Sequence, residues 1–199
     1  ISVSVDAATA GAITVGHSGT ATMDKARRVS ITSGGNDTGI TFTIAGADRN
    51  GDPITEVVTG ANAVAATSVL SYLTVTSILT SAAVATTVTV GSSAVADSQW
   101  VRLDTIGSMA EVAIQATVSG TANYTIQQTL EDPNAITNQL PTPTYRWTPA
   151  SVTWVNHPDA AVVAATATAQ ANYAYTPILA RVVLNSGTGS VTTTFAQTY

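Results

Sequence analysis

Val112-Ala113-Ile114-Gln115-Ala116-Thr117-Val118 runs through Ser119-Gly120-Thr121-Ala122-Asn123 into Tyr124-Thr125-Ile126-Gln127-Gln128-Thr129. In the first run Val112, Ile114, Ala116 and Val118 take one side, and Ala113, Gln115 and Thr117 the other. In the last run Tyr124, Ile126 and Gln128 oppose Thr125, Gln127 and Thr129. Side chains of a strand alternate between its faces, so a period of two with one apolar side predicts half-buried β-strands. The glycine-bearing segment between them is polar and turn-forming. Such strands belong to antiparallel sandwiches, because parallel sheets bury both faces and read as continuous apolar runs.

The same grammar extends outward. Ile40, Phe42 and Ile44 share a face against Thr41, Thr43 and Ala45, while Val182 with Leu184 and Val191 with Phe195 fit two closing strands. Turn chemistry punctuates them at Gly34-Gly35-Asn36-Asp37, at Asn50-Gly51 within Asp48–Asp52, and at Ser186–Ser190. The expected fold is therefore an all-β, antiparallel β-sandwich architecture in two sandwich-like halves. We place an N-terminal arm or first strand at 1–20, one half at 21–95 and the second at 96–199. Pro141 to Pro158 reads as a long ordered loop or irregular strand. Ala160–Ala171 is alanine-rich enough for a short helix, although its Val and Thr weaken helical propensity.

Composition narrows the function. Only 10% of the 199 residues are charged, against about 25% in an ordinary soluble domain. The net charge is −5 and Lys25 is the one lysine. Nucleic acid is excluded as a partner on this account, since its binding draws on Lys and Arg displacing counterions. Lys25, Arg27 and Arg28 beside Asp24 read as a small exposed turn of mixed charge. Without cysteine there is neither a disulfide framework nor a thiolate metal site. Ile1–Val5 alternates like a strand and lacks a basic segment, so no secretory leader is expected there. Val57–Ala96 holds no charge, but Thr and Ser interrupt it every few residues, which predicts short strands and no membrane span.

Chemical motifs each lack a required member. Gly34-Gly35-Asn36-Asp37-Thr38-Gly39 has the glycine spacing of a phosphate loop, yet Ile40 stands where the lysine belongs. Asp48, Asn50 and Asp52 open like a calcium loop, but Pro53 and Thr59 replace its glycine and glutamate, leaving at most a weak surface calcium site. His17 and His157 have no second histidine at ligand spacing, and both read as polar loop residues. Glu131-Asp132 reads as a solvated turn, because glycosidases hold their carboxyl groups about 5–10 Å apart across a substrate. No catalytic, cofactor-binding or metal residue is assigned, and no cofactor is expected. Tyr145, Trp147 and Trp154 are the one aromatic concentration. Three readings stay open for it: core packing (shared by Trp154 and Trp100), a subunit interface, or stacking on sugar rings.

Two stretches carry a family likeness. One is Arg28–Ile44 with Gly46-Ala47-Asp48 and Glu56–Gly60; the other is Val118–Pro133 with Pro177–Arg181 and Gly187–Val191. Both resemble, in the same chain order across roughly residues 20 to 197, a family of tailed-bacteriophage virion structural proteins found among head and tail genes. The resemblance implies a non-enzymatic accessory subunit (capsid decoration, neck or tail) assembled in the bacterial host cytoplasm and residing in the virion. Its implied partners are capsid, portal, neck or tail subunits and further copies of itself. A Thr, Ser and Ala surface with few charges suits that role, since packing it desolvates little charge. The alternative is a receptor-binding module touching host glycan through Tyr145, Trp147 and Trp154. A hydrolase with a distributed carboxylate site is the weakest reading.

Overall fold

A computed structural model describes residues 2–5, 11–13, 19–49, 51–105, 111–131 and 152–197, with 2–5 described by backbone alone. The chain is all-β and antiparallel, as its period-two runs demand. It divides into two compact units, Ile1–Ala96 and Asp97–Tyr199.

The first unit holds β1 (Ser2–Val5), β2 (Gly11–Ile13), β3 (Ala21–Ser33), β4 (Thr41–Ala47), β5 (Pro53–Thr59), β6 (Ala65–Thr80) and β7 (Val88–Asp97), whose last residue, Asp97, already belongs to the second unit. Neighbours run β7-β3-β6-β4-β5, with β1 added on β7 and β2 on β6. Segment 1–20 thus contributes two paired strands. Every strand from β2 to β7 sends residues into one core, among them Ile13, Val29, Ile31, Phe42, Ile44, Ile54, Tyr72, Ile78 and Val90. A single sheet that feeds one core from all its strands has to curl around it, and register shifts provide the bends. Two lie between β3 and β6, one between β3 and β7, and one between β4 and β6 at Ala45/Gly46. Between Arg28↔Ser71 and Ser30↔Thr67 the long strand β6 carries extra residues that bulge out at Ser68–Leu70. Between Thr22↔Thr74 and Arg27↔Tyr72 the surplus lies on β3 instead. Bulges bend a strand and deepen its twist.

The β4–β5 hairpin forms where Asp48–Asp52 predicts one. Gly51 takes φ +83°, and Asp48 Oδ1 accepts from the Asp52 amide at 2.9 Å. Lys25, Arg27 and Arg28 are not on a turn. They sit within β3, where Asp24 and Lys25 are pushed outward by the bulge and Met23 and Ala26 stay buried. The sequence window is polar enough for a turn, but pairing on both flanks keeps it in the sheet.

The second unit has β8 (Val101–Arg102), β9 (Val112–Ser119), β10 (Ala122–Thr129), β11 (Val155–Asn156), β12 (Ala169–Tyr173), β13 (Leu179–Gly187) and β14 (Ser190–Gln197). It has the two layers of a sandwich: β11-β10-β13 with β8 beside β13, and β12-β9-β14. Val112, Ile114, Ala116, Tyr124, Ile126, Tyr173, Ala180 and Val182 fill the core. The turns after β9 and β13 are not hairpins. Each chain passes from one layer to the other, so β10 pairs with β13 while β9 pairs with β14. The helix expected over Ala160–Ala171 is absent. Asp159 caps a single 3-10 turn, Ala160–Val162, and Ala169–Tyr173 pairs with β9 as β12. Ladder pairing along β9 outweighs alanine's helical preference there.

Candidate functional site

Register decides which polar residues meet in the second unit. Asn156, Gln127 and Arg181 are directly opposed across β11, β10 and β13. Paired residues of an antiparallel ladder point to the same side. Here that side is the one opposite Ile126 and Val182, which alternate into the core. Arg181 donates to Gln127 Oε1 from Nε at 2.9 Å and from Nη2 at 2.7 Å. Gln127 Nε2 passes the chain on to Asn156 Oδ1 at 3.0 Å. The guanidinium also pairs with Asp97 Oδ2 at 3.3 Å, with both side chains well shielded. Charge at one end polarises the amide row and orders its donors in one direction.

Trp154 precedes β11 and lies on the same face. Its ring lies under the Arg181 guanidinium, 4.4 Å from carbon to ring centre. Trp100, just before β8, meets it edge-to-face at 5.3 Å between centroids. Such a stack contributes about 0.5–2 kcal/mol depending on desolvation. Trp154 Nε1 is buried and has no hydrogen-bond partner among the described residues. The opposite face of the neighbouring row carries Val155, Gln128, Ala180 and Val101. Val155 and Val101 are exposed there, as are Leu130 and Tyr175, whose hydroxyl accepts from Gln128 Nε2 at 2.6 Å. This end of the sheet therefore joins a rigid aromatic–cation layer to an exposed apolar rim. Chemically it offers a fixed shape.

Of the aromatic trio, Trp154 is placed here, half-buried. Tyr145 and Trp147 lie outside the described residues, as do His17, Asn50 and Asp132. Trp154 and Trp100 come together; core packing is one reading for them, but both are half-buried and neither belongs to the core cluster of the second unit. The sequence does not reveal Arg181 over this indole, nor Gln127 and Asp97 as the partners that hold the guanidinium. The available signal was an arginine at the apolar start of a strand, opposite a Gln-bearing strand.

The remaining candidates sit apart. His157 lies in the loop after β11 and is buried there, only 3% exposed. Its Nδ1 accepts from the Asp159 amide at 3.0 Å, and its ring packs on Tyr173 at 4.6 Å. Burial lowers its pKa, against the opposing pull of Asp159. Burial likewise raises the Tyr173 phenol. Glu131 Oε2 accepts from the Thr153 amide at 2.8 Å. In the first unit the glycine-rich segment 34–39 is a turn around a fully buried carboxylate: Asp37 Oδ1 accepts from the Ala85 amide at 2.8 Å. Asp24 is held down to about 2 by its hydrogen bond from Arg27. Among the described residues no three His, Asp or Glu side chains gather into a metal site. No helix there is long and apolar enough to cross a membrane.

No protein-family model, curated protein or solved structure matches the chain.

Proposed function

We propose that this chain is a non-enzymatic structural subunit of a tailed-bacteriophage particle, a decoration, neck or tail accessory protein that stabilises the virion through subunit contacts. The resemblance of Arg28–Ile44 and Val118–Pro133 to that protein family motivates the reading. The observation that carries it is the surface: Val57, Val64, Val69, Leu130 and Val155 are each more than half exposed on a chain with only seven cationic and twelve acidic residues. Exposed apolar side chains on a weakly charged, Thr- and Ser-rich surface pack against a neighbour with little desolvation cost. Capsid, portal, neck or tail subunits supply such neighbours, and the virion is where the protein resides.

Glycan recognition is the second reading, and Trp154 does not favour it. A sugar ring needs a free aromatic face, and the Arg181 guanidinium already covers one face of this indole. Gold labelling of a tagged copy on intact virions decides the matter. Label over the shell identifies a decoration protein, and label at one vertex or along the tail a neck or tail component. Well-preserved particles without label reject the proposal, as do particles lacking the gene whose composition and heat resistance are unchanged.

A further inference from the structure

We propose that β14 is an assembly edge at which two copies of this chain pair antiparallel, centred on Thr193. β14 ends the layer β12-β9-β14, so among the described residues its outer side has no partner strand. An edge strand turns alternate N–H and C=O groups outward, and proteins ordinarily blunt it with charge, proline or brevity. Other edges of this chain show those devices. β5 carries Pro53 and Glu56, and β8 and β11 have two residues each. β14 runs for eight residues, Ser190-Val191-Thr192-Thr193-Thr194-Phe195-Ala196-Gln197, with no charge and no proline. It is also held straight and in place: β9 pairs with it along its whole length, and Gln197 exchanges two hydrogen bonds with the Asp104 backbone at 2.9 and 3.1 Å.

The sequence of β14 is complementary to its own reverse. About a twofold axis at Thr193, Val191 meets Phe195 of the second copy twice, and Thr192 meets Thr194 twice. Val191 and Phe195 already pack on the core but stay partly open, which is how inward residues behave when the next strand is missing. Thr192 and Thr194 are exposed on the outer face. A second strand in this register completes burial of both apolar pairs and sets threonine against threonine, a favourable cross-strand pair. No like charges oppose one another anywhere in the pairing. Contact of the same patch with itself also closes the assembly at two copies along this edge.

Sedimentation of the full chain across a concentration series tests it. A concentration-dependent dimer is expected. The double variants Thr192→Lys/Thr194→Lys and Thr192→Glu/Thr194→Glu should each associate at least about tenfold more weakly, because like charges then face each other twice. An equimolar mixture of the two should recover the dimer. Register is read separately, since the chain has no cysteine of its own. Thr192→Cys mixed with Thr194→Cys should form a disulfide-linked pair. Thr192→Cys alone should not, because its twin lies about 7–8 Å away on the diagonal. A monomer up to the solubility limit overturns the proposal, as does a lysine variant that dimerises like the parent or a mixture that stays monomeric. Should the charged variants misfold, the cysteine pair decides alone. The virion reading stands apart: a monomer that still labels particles removes only the edge pairing, and a dimer that labels none removes only the virion role.

Discussion

The corner of the second unit and the β6 bulge of the first bend their strands by different means. In the second unit the turns after β9 and β13 lie backbone against backbone. The Gly189 amide donates to Thr121 O at 2.7 Å, and a Cβ on Gly187 would come within 2.3 Å of Thr121 O. A Cβ on Gly189 would meet Ser119 O at 2.4 Å. Both chains change layers at this point, and only side-chain-free residues allow them to pass so closely. In the first unit the strand stays in its sheet and a side chain repairs the gap. Where β6 bulges, Ser68 Oγ accepts from the buried Val29 amide at 2.8 Å and donates to Leu70 O at 2.8 Å. Glu56 reaches past β4 from β5 and accepts from the Val69 and Leu70 amides at 2.7 and 2.9 Å. The second unit's corner bends by removing atoms and the β6 bulge by adding hydrogen bonds. Gly46, packed on the Thr74 carbonyl at the β4–β6 register shift, shows the first unit using both. The first kind of bend should tolerate no substitution, the second graded loss.

Gly187→Ala tests the larger side of that contrast. The new methyl collides with backbone, which cannot swing aside as a side chain can, and φ is already +114°. A loss above about 3 kcal/mol is expected, read as a fall in the unfolding midpoint together with loss of amide protection in β10 and β13. Retained protection in those strands would mean that the corner yields and the comparison is wrong. Loss of protection in β4 and β6 as well would mean that the two units unfold as one.

Glu56→Ala comes next. It strips two amides of a charged acceptor, and because Val69 is 71% exposed, water replaces part of what is lost. About 1–3 kcal/mol is expected, with faster hydrogen exchange confined to residues near the β6 bulge. Ser68→Ala leaves the Val29 amide without its acceptor at a site 1% exposed. Its expected cost is about 1–2 kcal/mol. Substitution of both residues should cost less than the sum if they hold the same bulge, since each alone already loosens it.

How much of this was legible beforehand follows the range of each interaction. The alternation of β9 and β10 is written in neighbouring residues, so both strands and the break at Ser119–Asn123 could be read directly. That the break leads to another layer could not, because partner choice depends on β13 and β14, far along the chain. The same reason hid the aromatic–cation layer. Trp154 stood out by type, whereas Gln127 and Arg181 are 54 residues apart and meet only through register. The alanine-rich 160–171 misled because local propensity speaks for helix while pairing with β9 speaks for strand. Lys25–Arg28 misled in the same way, a charged window being compatible with a turn or with a bulge inside a long strand.

The smallest expected effect separates the units by pH. His157 is neutral where it can accept from the Asp159 amide, and the groups facing it are that backbone, the Asp159 carboxylate, the Asn172 backbone and the Tyr173 ring. Burial depresses its folded-state pKa below the ordinary 6.5, outweighing the attraction of Asp159. The unfolded chain therefore takes up the proton first. The imidazole's contribution is complete above about pH 6.5 and is lost as pH falls from there toward the depressed folded value. One proton limits the slope to about 1.4 kcal/mol per pH unit. Protonation removes the Nδ1 acceptor, so loosening should begin at the 3-10 turn that Asp159 caps. Between about pH 7 and pH 5, amide protection should fall at Asp159–Val162 and β12 while the β6 bulge is unaffected. His157→Asn keeps an acceptor near the Nδ1 position and cannot charge, so it should flatten that response. An unchanged pH profile in this variant would assign the acid sensitivity to carboxylates and remove pH response as a difference between the units.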